Sequence, residues 1–234
     1  MKTITFSNIK GGVGKTTTAI LTANILSKNG YKVLCIDLDI QNSLSLYYLD
    51  DFDLIDKKNI YNVFQDEPIN DNIININDNL DLIPSKLNII NFRNTPRLNY
   101  LQKAFNGLDY DFIIIDTSPT FDNVLINAYK ASDLIIIPSQ LALFDLKAVD
   151  FLNNQFKDFE INTDMKILLN RIKHTETNEN IFYNAFINNF NSQVLNCFIP
   201  DTTLIKRAIE DKEVISNAKS KEKLFTALNN FIFE

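Results

Sequence analysis

The chain has 234 residues, 45% hydrophobic and 22% charged, with 23 basic against 29 acidic side chains and a net charge of −6. These values exclude a disordered chain, a collagen-like repeat and a disulfide-rich miniprotein. The acidity also excludes a protein that coats nucleic acid through bulk charge.

Lys2–Asn8 reads as a first strand running into a polar, Gly-rich loop, so no signal peptide is expected. Lys15–Lys28 follows as a helix, with Ala19, Ile20, Ala23 and Leu26 near helical spacing and Asn29-Gly30 as a left-handed cap. Lys32–Asp37, Leu80–Ile83, Asp111–Ile115, Asp133–Ile137, Met165–Asn170 and Val194–Ile199 are further apolar strands, the last ending at Pro200. Helices are expected at about 60–65, 86–92, 97–106, 122–131, 144–157, 179–190, 203–210 and 220–232. The polar, Asn/Asp-rich stretch Asp66–Asp81 reads as a surface excursion. Strands alternating with helices predict an α/β fold: a doubly wound, mostly parallel sheet covered on both faces, in a single domain over 1–234. The longest apolar runs are strand-length, far below the roughly 18 residues of a membrane span. Cys35 and Cys197 stand outside any metal or redox spacing and read as buried thiols of a reducing cytosol; the lone His174 reads as a surface residue.

Between the first strand and the first helix stands Lys10-Gly11-Gly12-Val13-Gly14-Lys15-Thr16-Thr17. It is nearly the strand–GxxxxGK[ST]–helix phosphate loop, except that the first glycine of that pattern falls on Ile9 and the loop carries Lys10, Gly11 and Gly12 instead. Glycines let successive N–H groups curl toward phosphate oxygens, and the helix N-terminus adds its positive end. Lys15 is placed to reach the β- and γ-phosphates, Thr16 to ligate Mg²⁺ and Thr17 to donate to the α-phosphate. Asp37-Leu38-Asp39-Ile40-Gln41 ends the second strand on the ligand side of a parallel sheet. If the strand continues, Asp37 and Asp39 point the same way, where a carboxylate can position water or support Mg²⁺. Asp111–Ile115 leads into Asp116-Thr117-Ser118-Pro119, an apolar strand ending in an acid that would hold Mg²⁺ through water.

The second loop lysine, the D-x-D-x-Q motif and the D-x-x-P motif resemble those of the ParA/MinD family of deviant Walker A ATPases. The resemblance runs from Lys2 to about Leu228. It implies that Lys10 reaches across a dimer to the partner's nucleotide, that Asp39 is the hydrolytic residue, and that Thr117–Pro119 senses the γ-phosphate. Ile40 departs from the family's usual proline. The same resemblance makes Asn170 an adenine reader, with Pro200 and Asp201 in a later base-contacting turn. The guanine motif N-K-x-D is absent, which favours ATP.

Two partner readings follow from the resemblance. In the ParA-type reading, an ATP-bound homodimer holds non-specific DNA through basic residues near the C-terminus, among them Lys206, Arg207, Lys219, Lys221 and Lys223. A ParB-type centromere-binding protein then stimulates hydrolysis and releases the DNA. The protein would be cytoplasmic, nucleoid-associated in the ATP state, and without an N-terminal helix-turn-helix. In the MinD-like reading, a terminal amphipathic helix inserts into membranes. Leu224, Phe225, Leu228, Phe231 and Ile232 do lie at helical spacing, but no cation follows Lys223, so a helix docked on the body is expected and no membrane partner. A metabolic kinase or ligase of the same superfamily is the third class, and no substrate pocket is legible for it.

Overall fold

The computed structural model describes residues 1–173, 181–210 and 212. Its centre is an eight-stranded sheet in the order β3-β4-β2-β5-β1-β6-β7-β8. The strands are β1 (Lys2–Phe6), β2 (Val33–Leu38), β3 (Ile74–Asn77), β4 (Leu80–Ile83), β5 (Phe112–Thr117), β6 (Leu134–Ser139), β7 (Asp164–Ile172) and β8 (Val194–Pro200). All neighbours run parallel except the edge strand β3, which is antiparallel to β4.

The central strands are apolar on both faces because helices cover both. One face packs α1 (Lys15–Lys28), α2 (Ser43–Tyr48), α3 (Phe52–Lys57) and α9 (Thr203–Glu210) against Ile4, Phe6, Cys35 and Ile114. The other packs α4 (Ile60–Phe64), α5 (Tyr100–Ala104) and α6 (Asn123–Lys130) on Ile36, Ile113 and Ile115. On that face, α7 (Leu143–Asp158) and α8 (Ile181–Phe190) lie over Ile135, Ile137 and Ile167. Successive residues of β5 thus enter opposite layers, as the two-residue period of a strand requires. The doubly wound α/β expectation holds.

Gly30 takes φ 86° at the end of α1, where its N–H donates to Ser27 and that of Tyr31 donates to Leu26, a Schellman closure. Several expectations need correction. The Asp66–Asp81 excursion contains β3, whose Ile74-Asn75-Ile76-Asn77 alternation adds an edge strand to the sheet. Residues 43–57 carry α2 and α3, six residues each, too short to display a helical period. Leu87–Phe92 is a 3-10 turn. Cys35 is buried, but Cys197 is only half-buried on the edge strand β8. His174 and the expected helix at 220–232 lie outside the described residues.

Candidate active site

The loop after β1 climbs over the C-terminal end of the sheet and enters α1 at Gly14, whose φ of 100° is a left-handed value that a side chain resists. The first turn of α1 has neither a side-chain cap nor an acidic residue. α6, by contrast, is capped by the Asp122 carboxylate on the N–H groups of Val124 and Leu125. The N-terminal amides of α1 are therefore presented to an anion.

Three charged side chains are withdrawn from solvent beneath this loop. Lys15 is 7% exposed, and its ammonium donates to the Lys10 carbonyl at 3.3 Å. Burial lowers its pKa, while Asp116 and Asp39 work in the opposite direction. Asp116 and Asp37 are fully buried and stand opposite each other in the register of β5 and β2. Desolvation pushes the Asp37 carboxyl up to about 6, against hydrogen bonds from Ser45 and Asp39 that hold it down. Asp116 is raised well above its ordinary value by burial and by the neighbouring Asp37. Two carboxyls this close in a dry site call for a cation.

The donor set fits one. Thr16 donates to Asp116 Oδ2 at 2.6 Å, while Asp116 Oδ1 is buried with no hydrogen-bond partner among the described residues. A hydroxyl and a carboxylate oxygen at a phosphate-binding helix end are hard ligands suited to Mg²⁺. Asp37 contributes differently: Oδ1 accepts the Asp39 N–H at 2.9 Å, and Oδ2 accepts the Ser45 N–H and hydroxyl at 2.9 and 2.7 Å. Both its oxygens are thus engaged in anchoring the loop that leads into α2, so it would act on a cation only through space.

β2 ends at Leu38, so Asp39 lies past the strand and the two-residue alternation does not place it. The Asp37–Asp39 bond does. Asp39 stands at the edge of the site, 9% exposed, with its Oδ1 accepting from Gln41 N–H at 3.0 Å and Ser118 Oγ at 3.3 Å. The second and third motifs therefore touch. Asn42 turns the chain at φ 55°, a left-handed position that asparagine tolerates.

Lys10 is held by a residue that the motifs do not include. Its ammonium pairs with Asp145 in the first turn of α7, whose carboxylate is fully buried and also accepts the Gln140 N–H at 3.0 Å. Asn8 was likewise missed: it accepts from Lys10 N–H at 2.9 Å and donates to the Pro138 carbonyl at 2.9 Å. The available signal was position, since both follow apolar strands on the ligand side of the sheet.

Beyond the loop, a cavity of about 510 Å³ is lined by Gly14, Thr17, Asn170, Pro200, Asp201 and Lys206, among others. The three residues expected to meet the base are thus gathered at one opening. Arg171 turns the chain there at φ 57°, and Asp201 N–H closes the β7–β8 ends on the Ile172 carbonyl at 3.0 Å. Lys206 lines this cavity and pairs with Glu210 at 3.6 Å, whereas Arg207 is exposed on α9. Lys219, Lys221 and Lys223 lie outside the described residues. Among those residues, no helix is long and apolar enough to cross a membrane.

A family model described as an AAA domain matches residues 1–169. The sporulation initiation inhibitor protein Soj of Bacillus subtilis is 32% identical over 178 residues, 71% of this chain and 70% of Soj. A plasmid partition protein of Borrelia burgdorferi, solved with AMPPNP, superposes with a TM-score of 0.84 at 31% identity, covering 99% of this chain and 98% of that one. Apo McdA of Cyanothece reaches a TM-score of 0.85 over 99% of both chains, but at 21% identity it attests the fold alone. With its phosphate loop, its two carboxylate motifs and these likenesses, the chain belongs to the ParA/MinD superfamily of P-loop ATPases, close to the ParA-type partition ATPases.

Proposed function

We propose that this protein is a ParA-type partition ATPase that hydrolyses ATP with Mg²⁺ and carries DNA cargo. The observation that carries this reading is the convergence of an uncapped helix N-terminus, buried Lys15, and the Thr16–Asp116 pair with its unpartnered carboxylate oxygen. Gly11, Gly12, Val13 and Gly14 would cradle the phosphates, Lys15 would neutralise the β- and γ-oxygens, and Thr17 would reach the α-phosphate. Thr16, and Asp116 through a water, would hold Mg²⁺, which offsets charge on the phosphates. Asp39 would orient the attacking water, with its position set by Asp37 and Ser118.

Lys10 supports the partition branch over a plain nucleotidase. Lys15 already serves the phosphates of its own site, and Lys10 sits on the outer shoulder, 32% exposed, against Asp145. In the proposed cycle it leaves Asp145 for the partner's nucleotide as two ATP-bound subunits close face to face. The dimer would hold non-specific DNA in the cytoplasm, and a ParB-type protein would trigger hydrolysis and release. ATP then acts as the ligand that favours one state, and hydrolysis withdraws that preference.

The test is sedimentation and gel shift with random-sequence duplex DNA in ATP, ADP or no nucleotide, at low and moderate salt. ATP-dependent binding that weakens steeply with salt is expected, lost in Lys15→Ala and in Lys10→Ala. Absence of DNA binding in every state, with ATP-dependent binding to anionic liposomes instead, would overturn the DNA reading in favour of a membrane cargo.

A further inference from the structure

Ser45 lies outside the three sequence motifs, yet its hydroxyl stands where three segments of the chain meet. It is the third residue of α2 and is fully buried. Its Oγ donates to Asp37 Oδ2 at 2.7 Å, and its own N–H donates to the same oxygen at 2.9 Å. The Oγ also accepts the N–H of Ser85 at 3.1 Å, just past the end of β4. A hydroxyl has a single proton, so with an amide on its acceptor side that proton goes to the carboxylate. Two donors on Oδ2 fix the plane of the Asp37 carboxylate, and Oδ1 is left to accept the Asp39 N–H at 2.9 Å.

We infer that Ser45 is a positioning residue for hydrolysis, acting on Asp39 through Asp37 and tying both to the end of β4. The chain of bonds runs from the Ser85 N–H through Ser45 Oγ and the Asp37 carboxylate to the Asp39 N–H. It places the main chain of Asp39, while Gln41 N–H and Ser118 Oγ hold its side chain. β2 ends at Leu38, so no strand ladder holds Asp39, and the relay takes over that task. Loss of the Ser45 hydroxyl therefore loosens the water-orienting group while leaving Lys15 and Thr16 in place. The inference rests on the reading of Asp39 as the group that orients water.

The experiment measures ATP affinity and single-turnover phosphate release for the wild type, Ser45→Ala, Ser85→Ala, Asp39→Ala and the Ser45→Ala/Asp39→Ala double variant. Thermal melting checks that each is folded. Should Ser45→Ala not fold, Ser45→Cys, with a thiol of similar shape and weaker donor strength, takes its place. Ser45→Ala is expected to slow turnover by about tenfold, the effect of one lost hydrogen bond to a charged group, with ATP affinity within about threefold of the wild type. Ser85→Ala removes a hydroxyl that is equally buried but has no partner among the described residues, so turnover should stay within about twofold. In the Asp39→Ala background the Ser45 substitution should add no further loss, because the group it positions is gone. Normal turnover in folded Ser45→Ala overturns the inference, as does an equal loss in Ser85→Ala. A loss of ATP affinity as large as the loss of turnover, or a full further loss in the double variant, overturns it too. An Asp39→Ala protein that turns over normally removes the reading of Asp39 itself, and that failure shows before Ser45 is compared.

Discussion

Around the phosphate loop, Lys15, Asp37, Asp116 and Asp145 are all buried, and each is satisfied by a named partner or calls for one. Across the same opening, Arg171, Asp201, Lys206 and Glu210 stand exposed around a wide cavity, tied mainly by main-chain bonds and one loose ion pair. The contrast matches the proposed division of the opening into a phosphate side and a base side. Phosphate charge needs a dry, preorganised set of opposite charges, which only burial makes strong. A flat base needs shape and a few main-chain groups, which tolerate solvent. Mutations should accordingly be severe on the first side and mild on the second.

The largest expected effect comes from Lys15→Ala, which removes the buried cation beside the phosphates. ATP affinity should fall by about a hundredfold or more. Retention of tight ATP binding by calorimetry would break the charge-based account of this side. Next comes Asp39→Ala. Turnover should drop by roughly 10²–10⁴ while ATP affinity stays within about threefold, as the proposed role of this carboxylate on the attacking water requires. Single-turnover phosphate release separates the two.

A pH series sharpens the comparison further. The raised pKa of Asp37, from 3.8 to about 6, means that the folded chain holds this proton more tightly than the unfolded chain does. The group therefore stabilises the fold at low pH, and that contribution is lost as pH rises from near 3.8 through about 6. Without Mg²⁺ and nucleotide, Asp37→Asn should flatten this part of the melting-temperature profile relative to the wild type. Mg²⁺-dependent nucleotide binding should weaken as pH falls from 7 toward 5.5, because the buried carboxyls regain protons. On the base side, the 3.6 Å Lys206–Glu210 pair is 76% and 59% exposed at its two side chains. Glu210→Ala should shift unfolding free energy by less than about 0.5 kcal/mol in a denaturant titration. A much larger loss would show that this side is as tightly built as the other.

The phosphate loop, the two carboxylate motifs and the parallel α/β frame could be read directly from residue order. Each of these is a local pattern: glycines beside Lys15 and Thr16, an acid ending an apolar run, strands alternating with helices. The helices α2 and α3 and the edge strand β3 escaped that reading. Six residues carry too little periodicity, and Ile74-Asn75-Ile76-Asn77 hides its alternation in an Asn-rich stretch without a Gly turn signal.

Side-chain partnerships were beyond the sequence for a different reason. Lys10 meets Asp145 across 135 positions, Asn170 meets Val13 across 157, and Ser118 meets Asp39 across 79. No local spacing encodes such pairs. They arise where β1, β2, β5, β6 and β7 end side by side, so the sheet order decides them. The chain's own pattern named the chemical groups assigned to phosphate. Only the packed sheet determined which asparagines bond to the loop, which acid holds the outer lysine, and which side of the opening stays wet, because burial and long-range hydrogen bonding exist only once the strands are in register.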